Sequence, residues 1–301
     1  MKHKISSKIL VALLVACLAV TTACAGNPDS SSSSSSEASS SSEVSSEVSS
    51  QPSSSSEVES SSQAASSSNT TPSSSNGGGA VTVDPAAGAV PESAKQPMSY
   101  FDGTVFLGDS VSLKLKNYVT QQRKSDSSFF GKGQFLVAGS MGSGNALKPV
   151  SKDSVHPVFN GEKMLLEDSV KACGAKKVYI MYGINDIAPY GIDGAVRNME
   201  TLIKNILAKS PGVKIYVQSA TPMVASAQLK TLNNPNLKKY NTQLAAMCQK
   251  NGYYYIDVAS VLQDKDGNLP REYCSDPDNM GIHFTDAACK VWIDYLLTHT
   301  A

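Results

Sequence analysis

The chain has 301 residues, with 26 Lys and Arg against 26 Asp and Glu, so its formal net charge is zero. That average hides a split: residues 30–75 hold 28 serines, five glutamates and no lysine or arginine, a composition that cannot bury enough apolar surface to offset its chain entropy. Residues 96–301 hold 22 basic and 18 acidic residues, a small surplus without long basic runs, which excludes nucleic acid as the expected partner.

At the N-terminus, Lys2, His3, Lys4 and Lys8 precede the apolar run from Ile9 to Val20, and Thr21-Thr22-Ala23-Cys24 follows. A basic start, a short apolar stretch and small residues before a break predict a secretory signal. The run is too short to span a bilayer comfortably. The small residues before Cys24, with Ala25-Gly26-Asn27 after it, resemble a bacterial lipoprotein signal. That resemblance implies cleavage before Cys24 and lipidation of its thiol, and hence an extracytoplasmic, membrane-anchored protein, with a Gram-positive surface as the expected setting. A plain secretory signal is the alternative. Leu14-Val15-Ala16-Cys17 also fits, but cleavage there would leave apolar residues at the new end.

The expected organisation is a signal over 1–23, a disordered Ser/Glu-rich stalk over 24–95 and one folded domain over 96–301. The domain is long enough to bury about 70% of its unfolded surface. As a flexible coil the stalk reaches on the order of 45 Å. Four cysteines follow the stalk, Cys173, Cys248, Cys274 and Cys289. None has C-x-x-C spacing or a histidine at zinc-finger distance, so no structural metal is expected. A disulfide, with Cys274–Cys289 as the first pair to test, stands against four free, buried thiols.

Short β-branched and aromatic runs predict strands at Thr104–Leu107, Gln134–Ala138, Lys177–Tyr182, Lys214–Ser219 and Tyr253–Val258. Amphipathic periodicity predicts helices at Ala195–Ala208, Leu237–Gln249 and Thr285–Leu297. Near-continuous apolar strands separated by helices indicate an α/β fold of three layers, with a central parallel sheet of about five strands. Ligands in such folds sit beyond the carboxyl ends of the strands, and chemically capable residues gather there. Gly108-Asp109-Ser110 follows the first strand, and the glycine-rich run from Gly139 to Gly144 follows the second. Gly183-Ile184-Asn185-Asp186 follows the third, and Gly281-Ile282-His283-Phe284 precedes the last helix, with Thr285 as its predicted N-cap. No dinucleotide fingerprint, Walker lysine, H-E-x-x-H or calcium loop is present, so no cofactor or metal is called for.

A serine hydroxyl needs a neighbouring base, and His283 alone among the four histidines lies where such a base is wanted. His156, before Pro157, reads as a surface loop residue. Acyl transfer also needs donors for a developing oxyanion, and the N–H of Ser110, a glycine N–H of the second loop and the Asn185 amide are candidates. Asp109 and Asp186 read as structural, Asp186 holding its loop.

In order, Gly108-Asp109-Ser110, Gly142, Gly183-Ile184-Asn185-Asp186 and His283 resemble the blocks of the SGNH, or GDSL-type, hydrolases across residues 101–297. The resemblance implies a flavodoxin-like fold, Ser110 as nucleophile, His283 as base, and an oxyanion hole from Ser110, Gly142 and Asn185; Gly139 and Gly144 are the neighbouring alternatives to Gly142. The family places an aspartate three residues before the histidine, where this chain has Met280. Asp278 is therefore expected as the third residue, because Gly281 permits a turn, with Asp276 or a Ser110–His283 dyad as alternatives. The implied activity is that of a serine esterase removing O-acetyl or other short acyl groups from carbohydrate, cell-wall or lipid esters. A sugar acyltransferase of the same family and a non-catalytic carbohydrate-binding lipoprotein are the alternatives.

Overall fold

The computed structural model describes residues 88–301, which fall within one compact unit. The signal, Cys17, Cys24 and the serine-rich tract up to residue 87 lie outside the described residues. Within them the expected boundary at Gln96 is corrected. Ala89 forms a parallel bridge to Tyr255, the Val90 N–H donates to the Tyr255 carbonyl at 2.8 Å, and the Ser93 N–H donates to the Thr298 carbonyl at 2.6 Å. This segment is held through its main chain, which a composition shift does not register. It also covers part of an otherwise open sheet edge.

Five parallel strands form the central sheet: β1 (Thr104–Gly108), β2 (Gln134–Val137), β5 (Lys177–Met181), β6 (Lys214–Gln218) and β7 (Tyr254–Ile256), in the order β2-β1-β5-β6-β7. The two-residue strands β3 (Val158–Phe159) and β4 (Glu162–Lys163) make a separate antiparallel hairpin. β1 is buried throughout, and β5 and β6 are buried beyond their first residues, as strands covered on both faces must be.

The helices are α1 (Ser110–Gln122), α2 (Ser143–Ala146), α3 (Leu166–Ala172), α4 (Ile187–Lys209), α5 (Asn234–Asn251) and α6 (Asp286–Thr298). α1 packs on α6, while α3, α4 and α5 pack on one another in turn. Right-handed crossovers account for this division. The step from β1 to β2 runs one way across the sheet and the steps from β5 through β7 run the other, so α1 and α4–α5 take opposite faces. The chain thus reverses direction between β1 and β5, the position at which doubly wound sheets open a crevice at their carboxyl ends.

Two expectations differ from the structure in instructive ways. α4 is a first turn over residues 187–190, where Pro189 is tolerated, and a longer helix that resumes after Gly191, whose non-helical φ of +67° kinks the run between them; the helix expected from Ala195 therefore starts a few residues earlier. His156 is buried at 3% exposure rather than lying on the surface; its Nε2 sits 3.4 Å from the Ala146 carbonyl at the end of α2. The four cysteines stand as free thiols, Cys248, Cys274 and Cys289 buried and Cys173 half-buried.

Candidate active site

The first loop is built by a close approach. A Cβ on Gly108, at the end of β1, would lie 2.0 Å from Ser112 Oγ, so only glycine lets α1 turn back so sharply on the strand. Asp109 caps that helix, its Oδ1 accepting from the Val111 N–H at 2.9 Å. Ser110 is the first helical residue, so its own N–H is among those a helix leaves without an intrahelical acceptor. Burial pushes the Asp109 carboxyl up to about 6 against the opposing pull of the Val111 and Ser112 N–H groups, with Asp186 raising it further and His283 lowering it.

The second and third loops are tied together by Asp186. Its Oδ2 accepts from the Ser143 N–H at 3.0 Å and its Oδ1 from the Gly144 N–H at 2.9 Å. Asp186 is structural, as expected, but it holds the start of α2 as well as its own loop. Burial raises its carboxyl pKa, and these two N–H groups oppose that rise. A Cβ on Gly142 would lie 2.8 Å from Asp186 Oδ2, which fixes the need for glycine there. With the Ser143 and Gly144 N–H groups engaged, that of Gly142 is among the donors of this loop with no acceptor among the described residues. Asn185 reaches the same loop, its Nδ2 donating to the Met141 carbonyl at 2.9 Å.

The fourth loop carries both the base and its partner. Cys274 forms an antiparallel bridge to Phe284, and the Ser275 N–H donates to the His283 carbonyl at 2.8 Å. Above this neck the chain turns sharply, with the Asn279 and Gly281 N–H groups both donating to the Asp276 carbonyl at 3.0 Å. Gly281 closes the turn at φ +66°, where a Cβ would also meet Ala227 and Val224 at 2.5 Å. His283 Nε2 lies 2.9 Å from Ser110 Oγ, and His283 Nδ1 lies 2.7 Å from Asp276 Oδ2. Because a carboxylate only accepts, Nδ1 carries the ring hydrogen, and Nε2 is left to accept the serine proton.

Asp276, not Asp278, is therefore the carboxylate at His283. Asp278 sits at the exposed apex of the turn, where it pairs with Arg271 at 2.8 Å. Partial burial works against the charge of Asp276, but the His283 ring, the His283 backbone N–H and the Cys274 thiol together hold its carboxyl below the usual carboxylate range. Met280, at the position where an aspartate was expected, is half exposed. The seven-residue separation from His283 makes Asp276 only an alternative to Asp278 in the sequence. The folded-back turn brings Asp276 and His283 together. Among the described residues no group of three His, Cys, Asp or Glu side chains is placed to hold a metal ion.

The family described as "GDSL-like Lipase/Acylhydrolase family" matches residues 145–291, a span that contains Asn185, Asp276 and His283; Ser110 and Gly142 precede it. No curated protein sequence matches the chain. Among solved structures, a GDSL-like lipase from Bacteroides thetaiotaomicron is similar at 17% identity and TM-score 0.45, covering 64% of this chain and 84% of its own. The lipase/acylhydrolase from Enterococcus faecalis is similar at 14% identity and TM-score 0.45, covering 64% and 93%. The periplasmic domain of a lipopolysaccharide acetyltransferase from Salmonella ser. Paratyphi A is similar at 14% identity and TM-score 0.46, covering 64% and 81%.

Proposed function

Since the domain belongs to the GDSL-like lipase/acylhydrolase family of ester-hydrolysing serine hydrolases, we propose that Ser110, His283 and Asp276 are its nucleophile, base and orienting carboxylate, and that it removes short acyl groups from carbohydrate or cell-wall esters outside the cell. The observation that carries this reading is the continuous line from Ser110 Oγ through the His283 ring to Asp276 Oδ2, at 2.9 and 2.7 Å.

In this mechanism Ser110 Oγ attacks the ester carbonyl carbon as its proton passes to His283 Nε2. The imidazolium so formed is stabilised by Asp276 at Nδ1. The oxyanion takes hydrogen bonds from the N–H groups of Ser110 and Gly142 and from Asn185, whose amide nitrogen has two hydrogens and spends one on Met141. Collapse expels the alcohol, which leaves with the proton from His283. Water then attacks the acyl-enzyme by the reverse sequence, with His283 again as base, and releases the acid and free Ser110.

The lipoprotein-like signal with Cys24, and the tract of polar residues after it, support a domain tethered outside the membrane within reach of wall polymers. The test uses the full-length chain. An organophosphonate is expected to add its mass to Ser110 alone, and hydrolysis of nitrophenyl esters is expected to fall as the acyl chain lengthens. O-acetylated glycan is expected to yield free acetate. A label on another serine would overturn the nucleophile, a rate rising with acyl length would overturn the short-acyl reading, and an acetylated acceptor in place of acetate would make the protein an acyltransferase.

A further inference from the structure

The Cys274 thiol donates to Asp276 Oδ1 at 3.2 Å. The same oxygen accepts the backbone N–H groups of Ile282 at 3.2 Å and His283 at 3.0 Å. Three donors on Oδ1 leave Oδ2 as the oxygen that faces the ring, where His283 Nδ1 stands at 2.7 Å. The carboxylate is thus held asymmetrically, one oxygen saturated by its own loop and the other reserved for the histidine. Cys274 is 5% exposed and lies at the bridged neck of that loop, so its thiol approaches from the stem while the two N–H groups approach from the returning strand.

We propose that Cys274 is a positioning residue of the acid–base pair, its S–H fixing the rotation of the Asp276 carboxylate and damping its basicity toward His283. This inference rests on the Ser110–His283–Asp276 reading above. The thiol is suited to the task because it stays protonated: burial, together with its hydrogen bond to Asp276, pushes it up to about 11. Other charged groups facing the pair are Asp109 at the start of α1, which acts on His283, and Arg271, which acts on Cys274 and is itself paired with Asp278.

The sign of the effect follows. A donor removed from Oδ1 concentrates charge on the carboxylate, which then holds the imidazolium proton more tightly. The acidic limb of kcat/KM, set by protonation of the base, moves to higher pH.

The experiment measures pH profiles with p-nitrophenyl acetate for the full-length chain and for Cys274→Val and Cys274→Ser, alongside thermal melts. Cys274→Val keeps an apolar side chain, larger by about one methyl group, and removes the donor. It is expected to raise the acidic limb by roughly half a pH unit and to lower kcat/KM by about three- to tenfold, in the range of one ordinary intramolecular hydrogen bond. Cys274→Ser keeps a donor and is expected to return the limb to its wild-type position. A wild-type profile in Cys274→Val would overturn the proposal. So would a Cys274→Ser profile that follows Cys274→Val, and so would losses in both variants that track a fall in Tm without a shifted limb. His283→Ala separates the two levels: activity surviving there removes the underlying triad and this inference with it, whereas an inactive His283→Ala beside an unshifted Cys274→Val removes the inference alone.

Discussion

Asp276 and His283 stand seven residues apart on one loop, and their side chains meet at 2.7 Å between Oδ2 and Nδ1. The loop is pinned at its neck by the Cys274–Phe284 bridge and folded by Gly281, so base and partner are delivered to Ser110 as a pre-assembled pair. Asp276→Asn is expected to lower kcat steeply, toward the roughly 10⁴-fold loss that follows when a histidine base is left in the wrong tautomer. Asp278→Asn removes only an exposed ion pair with Arg271, of a kind that contributes about 1 kcal/mol or less, and its kcat is expected to stay within about threefold of wild type. Steady-state kinetics on the two variants check this, and similar losses in both would place the partner elsewhere.

How far the sequence discloses this site depends on what holds each part. β1, β5 and β6 are legible because burial on both faces demands an unbroken apolar run, and Ser110 and Asn185 are legible because each follows such a run within a short block. The helix that Ser110 opens is not: α1 is Ser-Val-Ser-Leu-Lys-Leu-Lys-Asn-Tyr-Val-Thr-Gln-Gln, whose alternation over Leu113 to Lys116 imitates a strand. Its helical state is imposed by the Asp109 cap and by packing on α6 rather than by a clean period of 3.6. Asp276 stands only as an alternative to Asp278 in the sequence for a different reason. Its link to the histidine is made by a turn whose three hydrogen bonds to Oδ1 cannot be counted from spacing.

Asn185 is anchored through one amide hydrogen to the Met141 carbonyl at 2.9 Å, which fixes the direction of the other. An oxyanion donor acts chiefly on the transition state, so Asn185→Ala is expected to lower kcat by about 10² to 10³ with KM little changed. A tenfold rise in KM at constant kcat would make Asn185 a substrate-binding or turn residue instead.

Gly142 and Gly139 separate by their surroundings. A Cβ at Gly142 would press on Asp186 Oδ2 at 2.8 Å, whereas one at Gly139 meets nothing within 4 Å. Gly142→Ala must displace the carboxylate that holds the Ser143 and Gly144 N–H groups, and is expected to lower kcat at least tenfold with a lower Tm, within the usual cost of a strained, close-packed site. Gly139→Ala is expected to leave kcat within about twofold. Parallel kinetics and melting curves decide between them, and a strong loss at Gly139 with tolerance at Gly142 would move the oxyanion donor to the earlier glycine.

The buried Asp109 supplies a pH signature of its own. Its carboxyl is pushed from 3.8 up to about 6, chiefly by burial, so between these values the folded state holds a proton that the unfolded state has released. Stability rises with pH only where the unfolded state binds more protons, so Asp109 makes the opposite contribution. Its effect is least adverse below about pH 4 and is fully adverse above about pH 6. A shift of that size corresponds to about 3 kcal/mol as an upper figure, at 1.36 kcal/mol per pH unit. Asp276, whose carboxyl is lowered, contributes in the other direction at more acid pH. Asp109→Asn keeps a side-chain oxygen to cap α1 and removes the titration. Its stability relative to wild type is therefore expected to climb between pH 4 and pH 7, by roughly 2 to 3 kcal/mol, whatever the absolute offset between the two proteins. Denaturant titrations at pH 4, 5, 6 and 7 measure that difference directly. A constant offset across the series would mean that Asp109 is already ionised throughout this range, held in that form by the Val111 and Ser112 N–H groups.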